Sequence, residues 1–283
     1  MYYFLFKNNL KPIIMKLSKK LSELHNQAEK ILEKDILTHN EKVFIFENWQ
    51  EGALNMNSLN GAFFTPWGLA RDFSLELNAS NTKGATLVDL CAGIGVLSYI
   101  AYHKYGFNVT CIEKNYDYLR VGKKILPEAT WIHGSILNFD ILEKAGTNFD
   151  LSISNPPFGK IKGDSDLHFS YKGSEFEFKT IEIASKISKA GTFILPQTST
   201  PYKYSGNRIF EEVKPLNKTQ KFIDTTKLNF EFNTGIDTSI YLNDWKGVTP
   251  KVEIVNFDFS ESKELRRKQK IVQSDLFDVS LAS

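Results

Sequence analysis

Between residues 16 and 35 apolar side chains recur at Leu17, Leu21, Leu24, Ala28 and Ile31. Steps that alternate between four and three place them along one helix face, so the chain is predicted to open on an amphipathic helix packed against its own domain. Gly61-Ala62-Phe63-Phe64-Thr65-Pro66-Trp67-Gly68 reads as a loop, and a short helix follows as far as Leu77. From Gly84 onward the pattern switches between buried runs of strand length and helical stretches of about ten residues. It predicts strands at 85–92, 108–113, 130–133, 149–154 and 191–195, and helices at 96–105, 116–126, 136–144, 178–188 and 208–216. Further strands are predicted near 221–224 and 239–242, and 252–257 is strand-like. Strands alternating with helices imply a doubly wound, mostly parallel α/β sheet. No helical pattern separates the strands predicted at 221–224 and 239–242, which points to an antiparallel excursion at one end of the sheet.

Composition narrows the class. A chain of 283 residues, 42% hydrophobic and 24% charged, has room for one large α/β domain with extensions. We divide it into a tail and helix at 1–59, a main domain at 60–247 and a C-terminal strand with a basic helix at 248–283. A formal charge of +2 offers no broad basic surface, although local basic faces remain open. Two cysteines, Cys91 and Cys111, each inside an apolar run, exclude a disulfide framework or zinc site and suggest buried thiols; no metal is expected. The apolar opening Met1–Phe6 is broken by Lys7-Asn8-Asn9 and makes a poor signal peptide. No stretch approaches the roughly 18 apolar residues of a membrane span, so a cytoplasmic location away from membranes is expected.

Candidate chemistry sits at two strand ends. Asn155-Pro156-Pro157-Phe158 follows the apolar run at 149–154. Each proline lacks an N–H and fixes φ near −65°, and Pro156 drives Asn155 towards an extended conformation, so the strand must stop there. What remains at its C-terminal edge is a carboxamide, a carbonyl released from ladder duty and an aromatic ring, and that edge is where ligands bind in open α/β sheets. Earlier, Asp89-Leu90-Cys91-Ala92-Gly93-Ile94-Gly95 passes from the first strand into the first helix. Its glycines allow close approach of a ligand, but Ser98 stands where the dinucleotide fingerprint has its third glycine. Glu113 ends the second strand about 20 residues on, where a carboxylate can accept both hydroxyls of a ribose. The order favours a nucleoside ligand without a pyrophosphate, a description that S-adenosylmethionine fits.

Phe63-Phe64-Thr65-Pro66, Asp89 with Gly93 and Gly95, Glu113, and Asn155-Pro156-Pro157-Phe158 together resemble the S-adenosylmethionine-dependent adenine-N6 DNA methyltransferases. The likeness is to the group whose cofactor motif precedes the catalytic one, which includes modification subunits of restriction systems, and it covers roughly 60–245. It implies a Rossmann-like methyltransferase sheet with Asp89, Gly93 and Gly95 along the methionine moiety and Glu113 on the ribose. Phe64, Thr65 and Pro66 would cover the methionine end. Ser135 stands where the family usually has an acidic residue for the cofactor's adenine, and Asp140 is a possible substitute. Catalysis would fall to Asn155, Pro156, Pro157 and Phe158, the first two as acceptors on the N–H groups of a target amine and Phe158 as a stacking face.

The implied partner is nucleic acid, DNA ahead of RNA. Phe230 and Phe232 are candidates for a second wall around the target base. The polar stretch 159–173 reads as a mobile loop offering Lys160 and Lys162 to phosphate, and 197–207 as a second loop with Lys203 and neighbouring Arg208. Lys263, Arg266, Arg267, Lys268 and Lys270 form a further basic run. Little chain follows the catalytic domain, so target recognition is expected to be loop-encoded, relaxed or supplied by a partner subunit. Structured RNA is the alternative substrate, and a catalytically silent subunit supporting an active partner is the third reading.

Overall fold

The computed structural model describes residues 18–50, 63–77, 82–160, 165 and 167–260. The opening apolar run, Gly61, Ala62, Lys162 and the basic run from Lys263 to Lys270 lie outside the described residues.

Helices α1 (Lys19–Leu32), α2 (His39–Asn48) and α3 (Trp67–Phe73) come first, the last continuing as a 3-10 turn at Ser74–Leu77. Ser18 caps α1 through a bond from Leu21 N, and Thr38 and Glu41 form a reciprocal capping box on α2. Ala28 and Leu32 from α1 and Ile45, Phe46 and Trp49 around α2 are buried in one apolar cluster with Leu69, Phe73 and Ile100. The opening helix therefore packs on the domain through its C-terminal half: of the predicted stripe Ala28 is buried, Leu24 and Ile31 are half-buried and Leu21 is exposed, while Leu17 lies outside the described residues.

The sheet is built from β1 (Thr86–Asp89), β2 (Asn108–Glu113), β3 (Thr130–His133), β4 (Phe149–Ser154) and β5 (Ser188–Pro196), all parallel. Between them run α4 (Val96–Tyr105), α5 (Tyr116–Ile125), α6 (Phe139–Ala145) and α7 (Phe176–Ile187). A small hairpin, β6 (Tyr202–Lys203) with β7 (Glu211–Glu212), and α8 (Asn217–Thr226) precede the last two strands, β8 (Glu231–Phe232) and β9 (Val252–Asp258). The seven-stranded order is β3-β2-β1-β4-β5-β9-β8, with β9 antiparallel to both neighbours. Alternate residues feed two apolar layers: Leu87, Cys111 and Ile194 face one, and Val88, Ile112 and Phe193 the other. The chain winds outward from β1 to β3 and then returns to β4 beside β1. That reversal is the crevice where open α/β sheets hold ligands, and it puts the ends of β1 and β4 side by side, with Asp89 in register with Ile153.

The end of the sheet differs from the sequence expectation in its residues, though not in kind. Residues 208–216 form no helix; they include β7 and lead into α8. The strand predicted at 221–224 lies within α8, whose buried Thr219, Phe222 and Thr226 follow helical spacing on an otherwise polar segment. The strand predicted at 239–242 is a 3-10 turn, Thr238–Tyr241, capped by Asp237 accepting from Ser239 N. The antiparallel excursion is made instead by β9 and β8. Val252–Asp258, set apart above as a C-terminal segment, pairs with β5 along its whole length, from Pro196 opposite Val252 to Ala190 opposite Asp258.

One close approach fixes how α5 meets β3. A Cβ on Gly122 would stand 2.1 Å from the Trp131 ring. That indole is tethered by its Nε1 donating to the Leu126 carbonyl at 3.0 Å. Alanine gains about 1 kcal/mol of helix propensity over glycine, whereas overpacking a tethered ring costs about 1–3 kcal/mol. Gly122→Ala is therefore expected to lower the thermal midpoint by about 2–4 °C. A raised midpoint in calorimetry would show that the indole is free to move aside.

Candidate active site

The C-terminal ends of β1, β2 and β4 carry the sequence-predicted residues to one place. Asp89 ends β1 at 1% exposure, its Oδ2 accepting from the Ser98 hydroxyl at 2.8 Å, while among the described residues its Oδ1 meets no donor in good hydrogen-bond geometry and the Cys91 amide is nearby. The turn into α4 has Gly93 at φ +56° and Gly95 at φ +87°, conformations that disfavour any Cβ. Glu113, at the end of β2, holds that turn: its Oε2 accepts from Gly93 N at 2.8 Å and its Oε1 from Asn115 N at 2.6 Å. Burial is the main cause that pushes both carboxyls upward. Asp89 rises to about 7 with the Ser98 hydroxyl opposing, and Glu113 rises to about 7 with the Asn115 and Gly93 amides opposing.

Asn155 stands at the end of β4 facing the strap 63–66. Its Nδ2 donates to the Phe63 carbonyl at 2.9 Å and to Thr65 Oγ1 at 2.9 Å. A carbonyl only accepts, so the carboxamide nitrogen must face the strap, and both its N–H groups are then used. Asn155 Oδ1 is left buried and without a partner. The Pro-Pro turn carries Phe158 edge-on to Phe63, with ring centroids 6.4 Å apart.

The strap lies across the glycine turn. The Phe64 ring passes 3.4 Å from where a Cβ on Gly93 would be and packs edge-on to Tyr118 at 4.7 Å. Trp49 flanks it at 5.9 Å, and Lys246 Nζ stands 5.3 Å from its centre while donating to the Phe46 and Trp49 carbonyls. Beneath the strap is a cavity of about 30 Å³ reached by Thr65, Asp89, Gly93 and Asn155. That is room for about two waters. Phe64, Thr65 and Pro66 also line a second cavity of about 290 Å³ with Glu47, Asp244 and Lys246. Ser135, after β3, is half-buried and accepts from Leu137 N at 3.3 Å. Neither it nor the exposed Asp140 lines the cavity beneath the strap.

Other sequence candidates fall elsewhere. Phe230 belongs to the core, 4.9 Å from Phe257, because it precedes an edge strand lying over α8. Phe232 joins a partly exposed aromatic group with Tyr202, Tyr204 and Phe210 on β8, separated from β4 by β5 and β9. The polar stretch predicted as a mobile loop is fastened from Leu167 onward: Glu182 accepts from Ser170 N at 2.7 Å and Tyr171 N at 3.0 Å, and Tyr171 is buried. The loop at 197–207 is likewise held, through buried Glu253, which accepts from Gln197 Nε2, Tyr204 N, Ser205 N and Ser205 Oγ. Lys160, Lys203 and Arg208 are exposed. Cys111 is buried and Cys91 half-buried, both as free thiols. Among the described residues no group of three or more His, Cys, Asp or Glu is placed to hold a metal, and no helix is long and apolar enough to cross a membrane.

Tyr118, Lys246 and Glu177 were not singled out in the sequence. The first two are ordinary aromatic or surface types that long-range folding brings together. Glu177 did carry a signal, an acid between two phenylalanines of a helix buried on nearly every side.

A doubly wound sheet with an antiparallel penultimate strand, a left-handed glycine turn after β1 and an acid ending β2 define a class, the S-adenosylmethionine-dependent methyltransferases. The sequence agrees: residues 73–223 match the methyltransferase small domain family, and the chain belongs to that family. No curated protein matches it closely enough to count as a relative. Among solved structures, a "putative class I S-adenosylmethionine-dependent methyltransferase" from Listeria monocytogenes aligns with TM-score 0.53 at 14% identity, over 84% of this chain and 80% of that one. A "putative RNA methyltransferase" from Pyrococcus horikoshii aligns at 17% identity and TM-score 0.47, over 78% of this chain and 98% of the other. TrmN from Thermus thermophilus aligns at 9% identity and TM-score 0.40, over 68% and 48%. At such identities the likeness is one of fold. S-adenosylmethionine is the methyl donor of this class, and the residues present suit it: two buried acids for an ammonium group and ribose hydroxyls, and a turn without Cβ atoms for close approach.

The raised acids make stability depend on pH. A carboxyl whose folded pKa lies above its unfolded value contributes stability that is complete below about pH 4 and lost as the pH rises through about 7. The thermal midpoint of the ligand-free protein is expected to fall between about pH 5 and pH 8, and Glu113→Gln to shrink that fall. An equal fall in the variant would place the titration elsewhere.

Proposed function

We propose that this methyltransferase acts on the exocyclic N6 amine of adenine in DNA, with Asn155, Pro156, Pro157 and Phe158 as its catalytic residues. The supporting observation is the Asn155 carboxamide, whose donors are spent on the strap and whose acceptor oxygen is buried and unpaired at the end of β4. An aromatic amine is a weak nucleophile because its lone pair is delocalised into the ring. Acceptors on both its N–H groups favour the pyramidal geometry that frees the lone pair, and Asn155 Oδ1 and the Pro156 carbonyl provide two. Phe158 offers a face on which the base stacks. When bound, S-adenosylmethionine supplies an electrophilic methyl group on a sulfonium. The amine nitrogen would bond to that carbon as the carbon–sulfur bond breaks, with one amine proton leaving to solvent. No strong base is required, and orientation carries most of the acceleration.

On this reading Asp89, Gly93 and Gly95 hold the methionine end, with Phe64, Thr65 and Pro66 over it, and Glu113 takes the ribose. Ser135 contributes through the lone pair that its own turn leaves free. The Phe63-Phe64-Thr65-Pro66 strap favours DNA through the family resemblance, and target recognition by a partner subunit, as in restriction–modification systems, belongs to the same reading. The acceptor pair specifies an amine rather than the polymer that carries it. Structured RNA and a silent supporting subunit are therefore the outcomes against which the proposal is tested.

Incubation with tritiated S-adenosylmethionine and separate pools of duplex DNA, single-stranded DNA, ribosomal RNA and protein is expected to label DNA as N6-methyldeoxyadenosine. Label confined to RNA would transfer the reading to that substrate, and failure of both labelling and cofactor binding would favour the silent subunit. Asn155→Ala is expected to lower turnover by about 10²–10³-fold or more, a larger factor than any weakening of cofactor binding through release of the strap. Substantial turnover in that variant would sink the assignment. If Asp89 and Glu113 bind the cofactor as anions, calorimetry in buffers of different ionisation enthalpy will show protons released on binding near pH 7, where both acids titrate.

A further inference from the structure

The residue after the catalytic tetrapeptide is gripped on both sides by the start of α7. Gly159 N donates to Glu177 Oε2 at 2.8 Å, and the Gly159 carbonyl accepts from Phe176 N at 2.8 Å. Gly159 has φ +85° with open space where a Cβ would lie, so its backbone conformation, rather than a neighbour, calls for glycine. Glu177 is completely buried. Its Oε1 accepts from the Ser199 hydroxyl at 2.8 Å and lies 3.7 Å from Lys218 Nζ, which itself donates to Ser199 Oγ at 2.9 Å. One carboxylate thus joins the turn after β4, the first turn of α7, the 3-10 turn after β5 and the start of α8.

A buried charge is expensive unless paired and hydrogen-bonded, and an apolar residue at such a site is often as stable. What an apolar residue cannot do is accept two hydrogen bonds in one fixed plane, one from the catalytic turn and one from the β5 turn. The first turn of a helix also favours an acid. Among the described residues Glu177 makes no hydrogen bond or ion pair to Asp89, Gly93, Gly95 or Glu113; its partners are Gly159, Ser199 and Lys218.

We infer that Glu177 is a positioning residue for methyl transfer, fixing the Gly159 peptide and through it the direction in which the Pro156 carbonyl and the Phe158 ring are presented. The inference rests on the amine-transfer reading of the tetrapeptide. Lys218 and Ser199 hold the carboxylate in place, and Gly159 transmits its position to the turn.

Glu177→Gln tests this, because it keeps the volume but replaces one acceptor oxygen by a donor that must oppose either Gly159 N or Lys218. Turnover on the accepted substrate is expected to fall about tenfold to a hundredfold, the scale of a small misplacement of a reacting group. Cofactor affinity by calorimetry and the folded fraction are expected to stay unchanged. Ser199→Ala, which removes one of the two groups holding the carboxylate but leaves the bond to Gly159 in place, is expected to lose less activity than Glu177→Gln. Hydrogen exchange resolved by NMR supplies a readout independent of substrate: the Gly159 amide should exchange at least about tenfold faster in Glu177→Gln, with β4 and β5 amides still protected. Unchanged exchange at Gly159 overturns the inference whatever the enzyme methylates. So does a loss of turnover matched by a loss of cofactor affinity or of folded protein. A wild-type protein that methylates no amine, with Gly159 still released in the variant, overturns the amine-transfer reading and leaves Glu177 a structural clamp only.

Discussion

Both N–H groups of the Asn155 carboxamide are committed to the strap before α3, and this pair of bonds governs what the sheet edge can do. The Phe63 carbonyl cannot donate, so the carboxamide cannot turn over. The strand beneath cannot continue, because two prolines follow. The acceptor oxygen is therefore held in a buried position where no protein donor meets it. A buried acceptor without a donor costs about 1–3 kcal/mol, which is recovered when a donor arrives. Asp89 Oδ1 lies in the same condition on the neighbouring strand, and both residues border one small cavity. The fold keeps its unsatisfied polarity at the place where a ligand would meet it.

Buried carboxylates organise the surroundings. Glu113 closes the glycine turn against the end of β2, Glu177 grips the turn after Phe158, Glu182 ties the following segment to α7, and Glu253 gathers the loop after β5. Each accepts backbone N–H groups from a segment with no ladder of its own, which is how irregular chain can lie at the edge of a packed sheet without orphaned amides. Asp89 and Glu113 are both buried, Asp89 with one oxygen on the Ser98 hydroxyl and Glu113 with both oxygens on backbone amides. Their pKa values of about 7 reflect burial outweighing the donors that reach them.

Much of this was legible in the chain. The five parallel strands and the helices between them follow from period and length, because central strands of such a sheet are apolar on both faces and end at sharp turn signals. Reading became unreliable after β5. Lys221-Phe222-Ile223-Asp224 looks like a short strand when taken alone, yet Phe222 is the only residue of the four that is buried, and it is buried with Thr219 and Thr226 at helical spacing. Edge strand β8, only two residues long, carries too little pattern to be read. The segment at 159–173 looks mobile from its glycines and polar residues, and nothing local reveals that Glu182 and the ring of Tyr171 fasten its second half.

The sequence by itself determined where strands must end and which groups are left at those ends: the prolines after Asn155, the glycines after Asp89 and the acid closing β2 are local constraints of φ, N–H supply and charge. Only the tertiary structure decided what those groups face. The strap that orients Asn155 comes from 90 or more residues earlier, with separations of 92 and 90 to Phe63 and Thr65. The acid that fixes Gly159 lies on a helix whose register depends on packing against β5. Hydrogen bonds to side chains far apart in sequence carry no periodicity, and so the partners of this sheet edge could be seen only once the sheet had brought them together.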